Sequence, residues 1–79
     1  MKKEIREFIE REIMKDERGG ILKDTDPLIE SGIIDSLGIQ ILLAHLEETY
    51  SVHIPDEELI PENFETVESI VALVERVKG

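Results

Sequence analysis

Apolar residues recur at three- and four-residue spacing in three stretches of the chain, which is the period of a helix with one buried face. The first stretch predicts a helix from about Lys3 to Asp16, ended by Arg18 and the pair Gly19-Gly20. The last stretch predicts a helix from about Thr66 to Val77, with Thr66 as its N-cap. The apolar faces of these two helices consist of Ile5, Phe8, Ile9 and Ile13, and of Val67, Ile70, Val71, Val74 and Val77.

The middle stretch predicts a helix from Ser36 to Tyr50 that has two apolar stripes. One stripe consists of Ile39, Leu42, Leu43, Leu46 and Tyr50. The other, on nearly the opposite side, consists of Leu37, Ile41 and Ala44 and is continued by Glu48. A helix on the outside of a small domain needs only one buried face. The second stripe therefore lies either under the long preceding loop or on a surface that binds partner proteins, and we favour partner binding for Leu37 and Ile41.

The connections between these helices also contain apolar anchors. A long loop from about Gly19 to Asp35 includes the turn signal Asp24-Thr25-Asp26-Pro27. Its apolar residues can fold onto the core, and they are Ile21, Leu22, Leu28, Ile29, Ile33 and Ile34. A short third helix is expected at 56–60, bounded by Pro61, and Phe64 is expected to fill the core just before the last helix. The predicted fold is all-α: one domain over residues 1–79, forming a small antiparallel bundle of three main helices and one short helix.

Composition narrows the function. The net charge of −10 argues against nucleic acid. It fits partners that have basic docking patches, but it also fits a small protein that is simply kept soluble, and acidity alone does not decide between the two. The chain has no cysteine, so it lacks a thiol nucleophile, and any thioester it carries must use the sulfur of a cofactor. No apolar run approaches the length of a membrane span, and the start Met1-Lys2-Lys3-Glu4 is unlike a signal peptide, so we expect a cytoplasmic monomer.

The polar residues do not form a recognisable catalytic or metal site. Ser36 has no histidine partner in the pattern, and His45 and His53 are both expected to be solvated surface groups. A calcium loop starting at Asp24 would need an oxygen ligand at its fifth position and glycine at its sixth, where Leu28 and Ile29 stand. We therefore expect neither catalytic activity nor a bound metal.

The segment Ser31-Gly32-Ile33-Ile34-Asp35-Ser36-Leu37 places one serine after an acid, behind a long loop and at the start of an apolar helix. Ile54-Pro55-Asp56-Glu57-Glu58 follows it at a distance of about twenty residues. In both segments the chain resembles the acyl carrier proteins, from about Lys3 to Val77. The resemblance implies that Ser36 is the attachment point of a 4′-phosphopantetheine arm taken from coenzyme A, and that Asp35 helps to hold the magnesium ion used in that transfer.

The resemblance also implies partners: a phosphopantetheinyl transferase, an acyl- or aminoacyl-activating ligase, and downstream acyl-transfer enzymes. The docking residues would then be Leu37, Ile41, Ala44, Glu47 and Glu48. Carriers of fatty acid synthesis usually have acids in the first turns after the serine, whereas this chain has Gly38 and Ile41 there. That departure and the segment Pro61-Glu62-Asn63-Phe64 favour a discrete carrier of a specialised acyl or aminoacyl pathway.

A different class of protein also fits the pattern. Asp35 and Ser36 are both preferred N-cap residues, so they could serve only to start a helix. The chain would then be an unmodified acidic adaptor that binds a protein through Leu37, Ile41 and Ala44.

Overall fold

The computed structural model describes residues 1–14 and 22–78, with the backbone alone for Met14. These residues contain helices and turns but no strand, which confirms the all-α class. The elements are α1 (Lys2–Phe8), a π-helical continuation of it (Ile9–Met14), α2 (Ser36–Tyr50), two 3₁₀ turns (Asp56–Glu58 and Pro61–Phe64) and α3 (Val67–Lys78). The expected end of the first helix, at Arg18, Gly19 and Gly20, and the loop residue Ile21 lie outside the described residues.

The core forms where the three apolar faces meet. Its fully buried members include Ile5 and Ile9 from the first helix, Leu42 and Leu46 from α2, and Ile70 from α3. Phe64 is 1% exposed, so its prediction as a core residue is confirmed. Leu73, which the predicted face of the last helix omitted, is completely buried, because it follows Ile70 by three residues on the same side of α3.

The described part of the loop before α2 is held by contacts with the first helix and with the segment before α3. Glu10 Oε2 accepts a hydrogen bond of 2.7 Å from the backbone N–H of Leu22, and Arg6 Nη1 lies 2.7 Å from Asp24 Oδ1. Further along, the backbone N–H of Leu28 donates to the carbonyl of Glu65 at 2.7 Å. With Leu22, Leu28 and Ile34 buried, the loop is packed onto the core and thereby holds the start of α2 in place.

The short third helix differs from its prediction. It is a single 3₁₀ turn, Asp56–Glu58, and Pro61 begins a second turn, Pro61–Phe64, instead of only bounding the first. Proline suits the first position of a turn because its φ is fixed and its missing N–H is not needed there. Asn63 Nδ2 donates to the carbonyl of Glu58 at 2.6 Å, which joins the two turns.

Candidate functional site

Asp35 and Ser36 have different roles at the start of α2. Asp35 is the N-cap residue, with an extended backbone, and its Oδ1 accepts a 2.8 Å hydrogen bond from the N–H of Gly38. Ser36 is the first helical residue and is exposed. Among the described residues its hydroxyl makes no hydrogen bond, so it is free to be substituted without loss of the cap.

Gly38 lies where the start of α2 is closest to the elements beneath it. It is buried, and a Cβ at this position would meet Asp35 Oδ1 and Ile34 Cγ2 at 3.4 Å and Ile13 Cγ2 at 3.6 Å. A methyl group fits at those distances, but a longer side chain would have to displace its neighbours. The absence of an acid at position 38 therefore has a packing reason.

An open pocket of about 270 Å³ lies beside Ser36. It is lined by Glu12, Ile13, Gly32, Ile33, Asp35, Leu37, Gly38 and Ile41. Leu37 is 68% exposed and Ile41 40% exposed, which makes them two of the most exposed large apolar residues in the described part of the chain. Exposed Ser36 thus stands next to apolar side chains that water can reach.

The structure places four of the five predicted docking residues on the surface and uses the fifth internally. Leu37, Ile41, Ala44 and Glu48 are exposed. Glu47 is half-buried, and its Oε2 accepts a 2.9 Å hydrogen bond from the N–H of Ile54. The Glu47 carboxylate therefore holds the chain that leaves α2, a role that the sequence pattern does not reveal. A docking role for the other four remains a prediction.

The expectation for the histidines is correct for His53, which is exposed, but wrong for His45. The His45 ring is half-buried and stacks on Phe8, with ring centroids 3.8 Å apart and planes 10° apart. Burial lowers the pKa of His45 from its usual value of 6.5, and the positive charge of Arg11 lowers it further. The helical pattern placed His45 between the two stripes of α2, but it could not show that the first helix covers that side.

Two acids of the loop, Asp24 and Asp26, have structural partners. Asp24 faces Arg6 and Lys2, and Asp26 Oδ2 accepts from the N–H of Lys23 at 2.9 Å. Within the described residues no group of three or more His, Cys, Asp or Glu side chains is arranged to hold a metal ion. The same residues include no helix that is long and apolar enough to cross a membrane.

Comparison with known proteins identifies the family. Residues 3–74 match the family described as the phosphopantetheine attachment site. The chain belongs to this family. Probable acyl carrier protein PigG of Serratia sp. (strain ATCC 39006) is 39% identical over 71 residues, which cover 90% of this chain and 80% of that protein. The D-alanyl carrier protein of Streptococcus pyogenes serotype M1 is 34% identical over 53 residues, 67% of each chain.

A solved structure shares both the fold and the sequence pattern. A chain in the crystal structure of an FAD-dependent dehydrogenase superposes with a TM-score of 0.76 and 38% identity. The match covers 89% of this chain and 97% of that one. Family membership confirms the resemblance to acyl carrier proteins and makes phosphopantetheine the cofactor of the fold. It also makes the chain a carrier and not an enzyme.

Proposed function

We propose that the chain, acting as a single domain over residues 1–79, carries a 4′-phosphopantetheine arm on Ser36 and presents acyl or aminoacyl thioesters to enzymes. The observation that supports this most directly is the exposed Ser36 hydroxyl, which makes no hydrogen bond among the described residues and follows a helix cap supplied by Asp35. Loading would join Ser36 Oγ to the phosphorus of coenzyme A that bears the pantetheine. The bond from that phosphorus to the rest of the pyrophosphate breaks, adenosine 3′,5′-bisphosphate leaves, and the hydroxyl proton is released.

In this proposal the protein holds the arm in place and provides the surface that enzymes recognise. When bound, the arm supplies the thiol that forms the thioester, which this chain cannot do because it has no cysteine. Asp35 uses Oδ1 for the cap and is itself exposed, so its second oxygen remains available to the magnesium ion of the transferase. The exposed residues Leu37, Ile41, Ala44 and Glu48 would bind the transferase, a loading ligase and downstream enzymes in turn.

The comparisons support a choice of cargo and partner. One relative is named for carrying D-alanine, and a chain of similar fold lies in the structure of an FAD-dependent dehydrogenase. We take an aminoacyl thioester as the first cargo to test and a flavin-dependent dehydrogenase as a candidate partner enzyme.

Intact-protein mass spectrometry tests the attachment site. Wild type, Ser36→Ala and the control Ser31→Ala are incubated with coenzyme A, magnesium and a broad-specificity phosphopantetheinyl transferase. We expect wild type and Ser31→Ala to gain one phosphopantetheinyl mass and Ser36→Ala to gain none. No gain in folded wild type, beside a control carrier that is modified, would contradict the proposal.

The exposure of Leu37 and Ile41 also supports the second candidate, an unmodified adaptor. Ile41→Glu should weaken binding of the loading enzyme at least tenfold and leave the helical circular-dichroism signal unchanged. Gln40→Glu, an exposed neighbour that gains the same charge, is the matched control.

In a carrier, Ser36→Ala abolishes transfer while binding persists; in an adaptor, Ser36→Ala leaves function intact. Loss of helical signal in Ile41→Glu would show instead that Ile41 supports the core.

A further inference from the structure

The pocket beside Ser36 is bounded partly by the first helix. Its lining side chains come from three places: Glu12 and Ile13 in the first helix, Ile33 in the loop, and Leu37 and Ile41 in α2. Neither of the 3₁₀ turns and no part of α3 contributes to it. A group attached to Ser36 therefore meets a surface formed by the first helix, the loop and α2.

We propose that this pocket holds the dimethyl-bearing part of the phosphopantetheine arm between encounters with enzymes. This inference rests on the proposed attachment to Ser36. The carbon unit next to the phosphate of the arm carries two methyl groups on one carbon, so the first apolar group after the attachment point is bulky and branched. Asp35 and Leu37, the two neighbours of Ser36 in sequence, both line the pocket, so that group begins its path beside it.

The chemistry of the lining suits this group. Ile33, Leu37 and Ile41 offer branched apolar surface that is only partly covered by the protein, and Ile13 also lines the pocket. Contact with the two methyl groups would remove apolar surface from water on both sides. Because the arm is tethered at Ser36, even a weak contact is favoured by a high local concentration.

The polar part of the lining also matches. The Glu12 and Asp35 carboxylates lie at the pocket, and carboxylates are hydrogen-bond acceptors. The arm has a hydroxyl and amide N–H groups just beyond its dimethyl carbon, and these are donors. A lining of branched apolar residues together with two carboxylates therefore fits a group that is branched and apolar first and a hydrogen-bond donor next.

Nuclear magnetic resonance on the loaded protein tests the contact directly. The chain is labelled with ¹³C at isoleucine and leucine methyl groups and loaded from unlabelled coenzyme A, and loading is verified by mass. We expect nuclear Overhauser effects from the arm methyl groups to Ile33, Leu37 and Ile41. Effects to Ile29 or Ile60 instead, or shift changes confined to residues 35–37, would overturn the inference.

A pair of variants separates a specific contact from general proximity. Ile33 and Ile29 are both half-buried residues of the same loop, but only Ile33 lines this pocket. In Ile33→Ser the methyl shift change of Ile41 on loading should fall at least twofold, whereas Ile29→Ser should keep it. An equal loss in both variants, or in neither, would contradict the inference.

The two proposals fail in different ways. If wild type gains no mass, the attachment at Ser36 is wrong. If wild type gains the mass but shows no contact at Ile33 or Ile41, the attachment stands and the resting place is wrong. The wild-type contact experiment requires no substitution, so it decides the question even if Ile33→Ser does not fold.

Discussion

At the scale of single residues, Asp35 caps the start of α2, and Ser36, the next residue, is exposed. Both Asp35 and Ser36 qualify as caps by residue type, yet only Asp35 has the extended backbone from which its carboxylate accepts the N–H of Gly38 in the first turn. Ser36 is inside the helix, so its hydroxyl is not required for starting it. A serine that is to be modified can therefore change without unfolding the first turn.

We expect substitution of Asp35, and not of Ser36, to destabilise the protein by removing the helix cap. Asp35→Ala should lower the free energy of unfolding by about 1 kcal/mol, because an N-cap bond is lost. Ser36→Ala should change it by less than about 0.5 kcal/mol, as is usual for exposed positions. Urea denaturation of the unmodified proteins measures both. A larger loss in Ser36→Ala than in Asp35→Ala would show that the serine is the cap.

His45 is the second residue whose surroundings matter for stability. Its imidazole stacks on Phe8, and Thr49 Oγ1 lies 3.3 Å from its Nδ1. Burial and Arg11 lower its pKa, and the acids Glu48 and Glu12 oppose them only in part. The folded protein therefore favours the neutral ring.

This lowered pKa predicts the direction of a pH effect. Between the folded pKa and 6.5 the unfolded chain binds more protons at His45, so stability rises with pH through that range. The contribution is present above 6.5 and is lost as the pH falls through the folded value. Denaturation at about pH 7.5 and about pH 5 should show a larger difference in wild type than in His45→Gln.

The difference in pH dependence between wild type and His45→Gln reports on His45 alone. The pKa of Glu4 is lowered by its hydrogen bond to the N-terminal ammonium, and that of Glu58 by its hydrogen bond to Arg76; both also lose stability in acid. These losses occur in wild type and variant alike and cancel in the difference. An equal pH dependence in the two proteins would show that His45 does not contribute.

At the scale of elements, α2 depends on contacts at both of its ends. Its start packs closely at Gly38 over Ile34 and Ile13. Its end is closed by Ser51 in the left-handed conformation (φ 54°), whose N–H bonds to the carbonyl of Glu47. The Glu47 side chain then accepts from the N–H of Ile54, so the helix is connected to the irregular segment that follows.

A substitution at Gly38 tests how tight the packing is. Gly38→Ala should raise the free energy of unfolding by up to about 1 kcal/mol, because alanine favours the helix and the 3.4 Å contacts admit a methyl group. Gly38→Leu should lower it by about 1 to 3 kcal/mol through overpacking. Ala44→Gly, at an exposed site of the same helix, is the control and should cost about 1 kcal/mol. A loss in Gly38→Ala as large as that in Gly38→Leu would mean that the helix cannot admit even a methyl group.

At the scale of the whole molecule, charge is the dominant feature. The chain has 19 acids and nine Lys and Arg residues, so ion pairs such as Arg6–Asp24 and Arg76–Glu58 still leave a net charge of −10. Repulsion among the remaining acids opposes the compact state and at the same time attracts basic partners. Salt should therefore affect folding and binding in opposite directions.

We expect Tm to rise by a few degrees when NaCl is increased from about 10 mM to about 200 mM, because the Debye length shrinks below the spacing of surface charges. Differential scanning calorimetry measures this rise. Substituting the exposed acids Glu57 and Glu75 by Gln should reduce it. The rate of association with the loading enzyme should fall over the same range of salt. A Tm that falls with salt would show that attractive pairs outweigh repulsion.

The sequence alone determined the positions of the three helices, most of the core and the resemblance to the family. These depend on spacing along the chain: a 3.6-residue period marks Leu42 and Leu46 as buried and Leu37 and Ile41 as a separate stripe, and the neighbours of Ser36 carry the resemblance. The π-helical continuation of the first helix and the two 3₁₀ turns were not predictable in this way, because they depend on fine backbone geometry that residue types specify weakly.

Only the tertiary structure decided which side chains act across the fold. His45 meets Phe8, Glu47 meets Ile54, and Glu12, Ile33 and Ile41 surround one pocket, although each group is scattered along the sequence. Periodicity assigns a residue to a face of its own helix, but it does not say which element covers that face. That choice is made when the three helices and the loop pack together, because the atoms that become neighbours then belong to distant parts of the chain.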